Sequence, residues 1–244
     1  MEKKVALVTG SSSGIGAAIA QRLAEEGMRV VINSARSVEA GEELARSLPD
    51  ARYVRADIAD PAEAAGLVGE AVAAYGRIDV LVNNAGRTRV IPHDDLDAAT
   101  PEVWREVFAL NVFGTWQTTT AAAPYLRESG DGCVVNISSV AAARPVGSSI
   151  PYAVSKAAIN HMTVLLAKAL GPGIRFNAVA PALTETAWTR DDPFFQNIAE
   201  YVRQNTPLCR VGQADEVAEV VLGVLRARHM TGAVLPVDGG ASLI

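Results

Sequence analysis

Short runs rich in β-branched residues alternate with longer helical patterns along nearly the whole chain. Several of these runs are continuously apolar, which is typical of strands that helices cover on both faces. Strand–helix alternation of this kind predicts a doubly wound parallel sheet with right-handed crossovers. The sequence therefore predicts an α/β fold with one parallel sheet of seven strands, which in chain order are VALVTG, RVVINS, RYVRAD, DVLVNNAG, CVVNISS, RFNAVAP and AVLPVDGG.

Length, charge and patterning exclude several classes of protein. At 244 residues and 49% hydrophobic, the chain can bury one sizeable core, and no linker divides it. The formal net charge of −5 and the lack of a basic stretch argue against nucleic acid binding. The three histidines are scattered, so no metal site is expected. The N-terminal apolar run ends at Thr9-Gly10, and no segment approaches a membrane span. We expect one soluble, cytoplasmic domain over residues 1–244.

The stretch TGSSSGIG, residues 9–16, joins the first predicted strand to the first predicted helix and is called the glycine turn below. Its glycines at 10, 14 and 16 permit a tight turn and close packing of helix on strand. The helix N-terminus that follows favours a pyrophosphate through its free N–H groups and the positive end of its dipole. The turn lacks the Gly-Lys-Ser/Thr ending of nucleoside triphosphate loops, which argues against an ATPase or GTPase. The alternative is a glycine-rich turn with a packing role alone.

The end of the second predicted strand, INSARSVEAGEE, indicates which dinucleotide binds. Arg36 stands where such folds carry the residue that reads the adenosine ribose, and no carboxylate occurs before Glu39. A guanidinium suits a 2′-phosphate, and the hydroxyls of Ser34 and Ser37 can assist it. The sequence therefore favours NADP(H) over NAD(H). Arg36 as a solvated surface residue is the alternative.

Tyr152 and Lys156 lie four residues apart in the predicted helix PYAVSKAAINHM, so their side chains are neighbours on one face. Taken alone, the pair is most simply a surface tyrosine beside a solvated lysine. A free tyrosine has a pKa of about 10 and exchanges protons poorly at neutral pH, whereas a nearby ammonium favours the phenolate. The rest of the chain has to decide between these interpretations.

Several further motifs occur in order along the chain and, with the glycine turn, resemble the short-chain dehydrogenase/reductase family in its standard-length, single-domain form. The resemblance covers nearly the whole chain and includes the 3-oxoacyl-(acyl-carrier-protein) reductase-like members. Each motif is weak alone, but six in register with the strand pattern identify the family. They are Thr9–Gly16, Asp57-Ile58, Asn83–Gly86, Asn111 with Ser139, Tyr152 with Lys156, and the tail Thr231-Gly232 and Val237–Gly240.

The resemblance implies a Rossmann fold and a role for each matched residue. Tyr152 would protonate the carbonyl oxygen during reduction, Lys156 would tune Tyr152 and bind the nicotinamide ribose, and Ser139 would hydrogen-bond the substrate oxygen. Ser138 is the alternative active hydroxyl. Asn111 would hold a water that relays protons towards Lys156, and Asp57-Ile58 would contact the adenine. The full cofactor site would be Gly10, Ser12, Ser13, Gly14, Ile15, Gly16, Ser34, Arg36, Ser37, Asp57, Ile58, Asn83, Ala85, Gly86, Tyr152, Lys156, Pro181 and Thr184.

The chain departs from the family pattern after the sixth strand, where Pro181-Ala182 replaces the usual Pro-Gly. A methyl group there restricts φ, and we expect a shifted substrate loop with cofactor binding retained. The segment 183–208 breaks the strand–helix rhythm and stands where the family has its substrate lid. Its aromatic residues Trp188, Phe194 and Phe195 either contact substrate or pack the lid on the body.

These observations predict an NADP(H)-dependent oxidoreductase of the EC 1.1.1 type that interconverts a ketone and a secondary alcohol. Asp191 and Asp192 in the lid, and Gly-Pro-Gly at 171–173, disfavour docking of the acidic acyl carrier protein, so a free small-molecule substrate is preferred. Arg127, Arg144, Arg190 and Arg203 could still supply positive charge, and a carrier-linked β-ketoacyl substrate is the alternative. A non-catalytic NADP(H)-binding regulator is the alternative from another class. In similar proteins the helices around residues 104–126 and after Tyr152 pair across two-fold axes, which predicts a homotetramer, with a dimer next.

Overall fold

The computed structural model describes residues 3–190 and 192–244, without the side chains of residues 187 and 188. Asp191 and the side chain of Trp188, both assigned above to the substrate lid, therefore lie outside the described residues. Of the helices in the described ranges, none is long and apolar enough to cross a bilayer.

Seven parallel strands form the central sheet, in the order β3-β2-β1-β4-β5-β6-β9. The predicted α/β fold and all seven predicted strands are confirmed. Strand order reverses between β1 and β4, which leaves a crevice at the carboxyl ends of these two strands. The strands are β1 Val5–Val8, β2 Arg29–Ser34, β3 Ala51–Arg55, β4 Val80–Asn83, β5 Gly132–Ile137, β6 Ile174–Pro181 and β9 Val234–Val237.

Helices cover both faces of the sheet because side chains alternate along each strand. Ala6 and Val8 of β1 pack with helices α1 and α9, whereas Leu7 packs on the other face with α3, α5 and α6. The helices are α1 Gly14–Glu25, α2 Val38–Ser47, α3 Pro61–Tyr75, α4 Pro101–Phe108, α5 Thr115–Glu128, α6 Ile150–Leu170, α7 Ala187–Arg190, α8 Pro193–Asn205 and α9 Ala214–Arg226.

Helices α4 and α5 are joined by a π-helical turn at Ala109–Gly114. The sequence pattern predicts one long helix here and does not indicate the wider turn. Gly114 permits close packing, since a Cβ on it would lie 3.0 Å from Cγ1 of Ile58. The turn carries Asn111, and its position in the fold brings that residue to helix α6.

The segment 183–208 leaves the sheet after β6. It contains the short strand β7 (Thr184–Glu185), which pairs with β8 (Gly212–Gln213), and the helices α7 and α8. Asp192 caps α8 by accepting a hydrogen bond from the Phe194 N–H at 2.8 Å. The rings of Phe194 and Phe195 meet edge to face at 5.2 Å. The role of the segment 183–208 as a substrate lid is a proposal.

Arg175 of β6 secures the end of helix α9 from the sheet side. Its guanidinium donates to the main-chain oxygens of Val224, Ala227 and Met230 at 3.0–3.3 Å and to that of Leu225 at 3.1 Å. We expect Arg175→Leu to lower the free energy of unfolding by about 2–3 kcal/mol, because it leaves several half-buried carbonyls unpaired. Urea denaturation measures the change.

Arg228→Leu is the matched control. The Arg228 side chain is 79% exposed and lies 3.8 Å from Asp131, so its removal is expected to cost less than about 1 kcal/mol. Equal losses in the two variants would contradict a capping role for Arg175.

Candidate active site

The glycine turn is tight enough to require glycine at two places. Gly10 has φ of +61°, and a Cβ on it would lie 2.7 Å from Cα of Ala85. A Cβ on Gly16 would lie 2.4 Å from Nδ2 of Asn84. Helix α1 then begins at Gly14, and the side chain of Ser13 makes no capping hydrogen bond. The first N–H groups of α1 therefore face an anion site of the kind that binds a pyrophosphate.

Asn84 and Thr9 hold the glycine turn on strand β4. Asn84 Nδ2 donates to the main-chain oxygens of Thr9 at 3.0 Å and Gly10 at 2.9 Å. Thr9 Oγ1 accepts hydrogen bonds from the N–H groups of Asn84 and Ala85 at 3.0 and 3.1 Å. The sequence analysis missed Asn84 as a positioning residue, although the Asn-Asn-Ala-Gly motif contains it.

Asn83, the neighbour of Asn84, requires a correction as a cofactor-binding side chain. It is 4% exposed and donates to Thr119 Oγ1 at 3.0 Å and Asn136 Oδ1 at 2.8 Å. Successive strand residues point to opposite faces, so Asn83 enters the layer of α5 and α6. Its side chain supports the floor of the crevice and does not line it.

The end of β2 carries the residues expected to read the ribose. Arg36 and Ser37 are exposed, Arg36 makes no ion pair with a described residue, and the Ser37 side chain makes no capping hydrogen bond to α2. The prediction that the Ser34 hydroxyl assists a phosphate requires a correction. Ser34 is 6% exposed, and its hydroxyl donates to the main-chain oxygen of Ser37 at 3.1 Å and lies 2.9 Å from Tyr53 Oη. Arg36 and Ser37 remain as the groups that can hold a phosphate.

Three further predicted cofactor residues have their side chains engaged within the protein. Ile58 is buried against Gly114, Asp57 Oδ1 accepts from the Ala59 N–H at 3.1 Å, and Thr184 Oγ1 donates to the Ala182 oxygen at 3.2 Å. Ile58 and Thr184 can therefore contact a cofactor through their main-chain groups. Other predicted residues lie along the crevice: Ser12 and Ile15 in the glycine turn, Gly86 after β4, and Pro181 at the end of β6.

Thr186, which the sequence analysis also missed, closes the crevice from the side of the 183–208 segment. A Cβ on Gly14 would lie 3.3 Å from Thr186 Cγ2. The glycine turn, the open end of α1 and the exposed Arg36 and Ser37 together fit a nicotinamide dinucleotide with a 2′-phosphate. The residues that would hold it are Gly10, Gly14, Gly16, Arg36 and Ser37.

Helix α6 presents Tyr152 and Lys156 as the sequence predicts. Ser149 caps the helix, Lys156 is 5% exposed, and Lys156 Nζ lies 5.8 Å from the centre of the Tyr152 ring. Nζ donates to the main-chain oxygen of Ile137, the last residue of β5, at 2.8 Å. With Lys156 buried and Tyr152 half-buried beside it, the two side chains are not the solvated surface pair that their spacing alone allows.

The structure distinguishes the two candidate serines. Ser138 is buried and donates to the main-chain oxygen of Lys156 at 3.3 Å. Ser139 directs its hydroxyl towards Tyr152, whose pKa its hydrogen bond lowers. Ser139 is therefore the serine whose hydroxyl lies beside the phenol, and Ser138 ties the end of β5 to α6.

Burial controls the protonation of both catalytic groups. Loss of hydration raises the pKa of Tyr152 above its ordinary value, and the hydrogen bond from Ser139 offsets part of this rise. Burial also lowers the pKa of Lys156 to about 8. In the protein alone the pKa of Tyr152 is raised, and not lowered as expected from Lys156, because desolvation is the largest effect on it.

The side chain of Asn111 joins the loop after β4 to helix α6. Its Oδ1 accepts from the Arg87 N–H at 2.8 Å, and its Nδ2 donates to the Arg87 oxygen at 3.0 Å and to Ser155 Oγ at 2.9 Å. Both amide hydrogens are used, so the side chain positions the loop after β4. Its role in holding a water stays a prediction, which the oxygen atoms of Asn111 would have to fulfil. Ser155, unassigned above, links Asn111 to α6, because its hydroxyl donates to the main-chain oxygen of Tyr152 at 2.7 Å.

Comparison with known proteins places these features in a family. The family model described as enoyl-(acyl carrier protein) reductase matches residues 10–242. A Streptomyces violaceoruber protein named as a ketoacyl reductase 2 of the granaticin polyketide synthase is 65% identical over 100% of this chain and 98% of its own. A 3-oxoacyl-[acyl-carrier-protein] reductase of Staphylococcus aureus is 35% identical over 97% of each chain. The crystal structure of a Burkholderia xenovorans protein described as a short-chain dehydrogenase/reductase has a TM-score of 0.92 and 35% identity over 100% of both chains.

Proposed function

Because the chain belongs to the short-chain dehydrogenase/reductase family, we propose that it reduces a ketone of a carrier-linked β-ketoacyl or polyketide chain to a secondary alcohol, with NADPH as the cofactor. Identity of 65% along the full length to a protein named as a polyketide ketoacyl reductase carries the substrate class. The sequence alone ranks a free small-molecule ketone first, so the comparison reverses that order.

Each catalytic side chain has a defined task in such a reduction. The carbonyl carbon would accept the hydride that a nicotinamide cofactor, once bound, would supply. Tyr152 is protonated at neutral pH, the more firmly because burial raises its pKa, and it gives its proton to the carbonyl oxygen. Ser139 hydrogen-bonds the same oxygen as its negative charge develops. The ammonium of Lys156 stabilises the phenolate that remains.

The rate of ketone reduction is expected to fall as Lys156 loses its proton. We expect kcat/KM for the ketone to be level below about pH 7 and to fall roughly tenfold per pH unit above the Lys156 pKa of about 8, while Tyr152 stays protonated. Steady-state rates from pH 6 to 10 measure this. A profile that stays level to pH 10 would contradict the assignment.

The same pKa affects stability. The Lys156 pKa is about 8 in the folded protein and 10.5 ordinarily, so the unfolded state binds more protons between these values. The free energy of unfolding should therefore gain a rising contribution with pH across this window, which Lys156→Met lacks. Urea denaturation at pH 8 and pH 10 compares the two proteins.

A free ketone remains the second candidate because three of the four arginines considered above are engaged within the protein. The guanidinium of Arg190 lies 3.9 Å from Glu185, that of Arg203 lies 3.7 Å from Glu200, and Arg144 donates to main-chain oxygens. Arg127, which makes no ion pair with a described residue, is the exception among the four arginines considered above. An acidic carrier protein would find few open cations here.

The decisive experiment follows NADPH absorbance with three substrates that share a ketone. They are an acetoacetyl group on acyl carrier protein, the same group on a short free thiol, and cyclohexanone. We expect the carrier-linked substrate to have the highest kcat/KM. Preference for cyclohexanone over both thioesters would replace the proposed substrate with a free ketone. NADPH binding without turnover of any of the three would favour the non-catalytic regulator.

The homotetramer is proposed on the apolar surface of α5, α6 and the π-helical turn. Phe113 is 54% exposed, Trp116 49%, Val164 45% and Leu165 54%, a concentration that favours burial between copies. Two buried acceptors on the same helices, Gln117 Oε1 and Asn160 Oδ1, have no partner among the described residues.

We expect light scattering at micromolar concentration to give four times the 25.6 kDa chain mass. Trp116→Glu should shift the distribution to smaller species, because it places a charge in an apolar contact. Leu96→Glu, at a residue 69% exposed in the loop before α4, is the control and should leave the mass unchanged. A monomer for the unmodified protein would contradict the proposal.

A further inference from the structure

The last residues of the chain form a base to which both ends of the 183–208 segment are attached. At the entry to the segment, the Ala182 N–H donates to the Val237 oxygen at 3.1 Å. At its exit, the Leu208 N–H donates to the Gly239 oxygen at 3.1 Å. Gly240 (φ +86°) approaches Pro207 so closely that a Cβ on it would lie 2.5 Å from Pro207 Cγ. Val237 of β9 therefore holds the entry of the 183–208 segment, and residues 238–244, called the C-terminal segment below, hold its exit at Pro207 and Leu208, which is called the hinge of the proposed lid.

The carboxylate of Asp238 gives the C-terminal segment its shape. One oxygen accepts from the Gly240 N–H at 3.0 Å and the other from the Ser242 N–H at 2.9 Å. Two main-chain bonds, from Ala241 to Asp238 and from Leu243 to Gly240, complete a short 3₁₀ turn at 3.0 Å each. The C-terminal segment is thus a compact turn whose internal hydrogen bonds hold its two ends at a fixed separation.

Arg144 joins this turn to the loop that carries the active hydroxyl. Its guanidinium donates to the main-chain oxygen of Ser242 at 2.7 Å and also to that of Ile244. Its own N–H donates to the Val140 oxygen at 3.0 Å, and the Ala141 N–H in the same turn donates to Ser139 Oγ at 3.2 Å. Arg144 is therefore two hydrogen-bonded steps from the hydroxyl at the reaction centre.

We infer that Arg144 is a positioning residue that fixes the distance between the Ser139–Tyr152 pair and the hinge of the 183–208 segment. It acts through the C-terminal segment and touches neither substrate nor cofactor in this arrangement. A guanidinium suits the task because its planar fork donates to two oxygens at once and needs no titratable partner. A substrate held between the reaction centre and the segment then meets a cleft of defined width.

This inference rests on the proposed function for its kinetic part, since cleft width matters only if a ketone binds there. We expect Arg144→Ala to lower kcat/KM for the ketone about tenfold, mainly through a higher KM. The pH at which the rate falls should not change, because Lys156 and Tyr152 keep their surroundings. Arg144→Lys should recover part of the loss, as an ammonium can still donate to one or both oxygens.

Hydrogen–deuterium exchange of the protein without substrate tests the structural part independently. In Arg144→Ala, exchange should rise in residues 139–149 and 183–208 and stay unchanged in β1, β4 and α1. Arg228→Ala, which removes another guanidinium from the surface, is the matched control and should change neither region. Unchanged exchange in 183–208, or an equal rise in the control, would overturn the inference. Because the exchange is measured without substrate, an error in the proposed ketone substrate would change the kinetic results alone.

Discussion

Tyr152→Phe is expected to lower kcat for ketone reduction by about three orders of magnitude, within the range of about 10²–10⁴ for loss of a general acid. The substitution removes one oxygen from a half-buried side chain and leaves the ring, its packing and the ammonium of Lys156 in place. NADPH affinity should change less than about threefold, because the phosphate and ribose groups of the site are untouched. Single-turnover rates and NADPH fluorescence titration separate the two effects.

Tyr201→Phe is the matched control for this result. Tyr201 is 57% exposed on α8, and loss of its hydroxyl should leave kcat within about twofold. Full activity in Tyr152→Phe would remove the phenol from the mechanism. Activity absent from both the variant and the unmodified protein, with NADPH still bound, would support the regulator.

Arg36→Asp is expected to reverse cofactor preference, with NADPH affinity falling by roughly 100-fold and NADH affinity changing by less than about threefold. The guanidinium is exposed at the end of β2 and makes no ion pair with a described residue, so it is available to a 2′-phosphate. Loss of a charge-assisted contact of about 1.5–3 kcal/mol, with repulsion added by the carboxylate, accounts for the size of the effect.

Arg46→Asp introduces the same change of charge on the neighbouring helix α2. The Arg46 side chain is exposed and donates to the Glu42 oxygen at 3.3 Å, away from the end of β2. Isothermal titration with both cofactors at two salt concentrations should show little change for this variant. Equal weakening of NADPH and NADH by Arg36→Asp would show that Arg36 does not read the phosphate.

Local patterns predicted the strands well because each strand is short, apolar and followed by glycine or polar residues at the sheet edge. All seven strands occur where the sequence indicates, and their register brings Asn83 opposite Asn136. The same local reasoning missed the π-helical turn at 109–114. Its residues lie within one continuous helical pattern of apolar residues, and the wider turn depends on packing around Asn111 and Gly114 that no local pattern shows.

Side-chain direction was the main source of error in the site. The Asn-Asn pair at the end of β4 reads as one motif, yet Asn83 enters the helix layer and Asn84 holds the glycine turn. The Ser34 hydroxyl could serve a cofactor and the Asn111 amide group a water. Neighbouring atoms already accept hydrogen bonds from the Ser34 hydroxyl and from the Asn111 amide hydrogens. A hydrogen-bonding group is free for function only after its local partners are known.

The sequence by itself determined the α/β class, the place of the glycine turn and the spacing that puts Tyr152 beside Lys156, because these depend on periodicities of two and 3.6 residues. Only the tertiary structure decided which serine faces the phenol and that burial raises the Tyr152 pKa and lowers that of Lys156. It also decided that Arg144 reaches the C-terminal segment, 98 residues further along the chain at Ser242. Hydration and long-range contact arise from how elements pack together, and that packing is not a property of any local stretch.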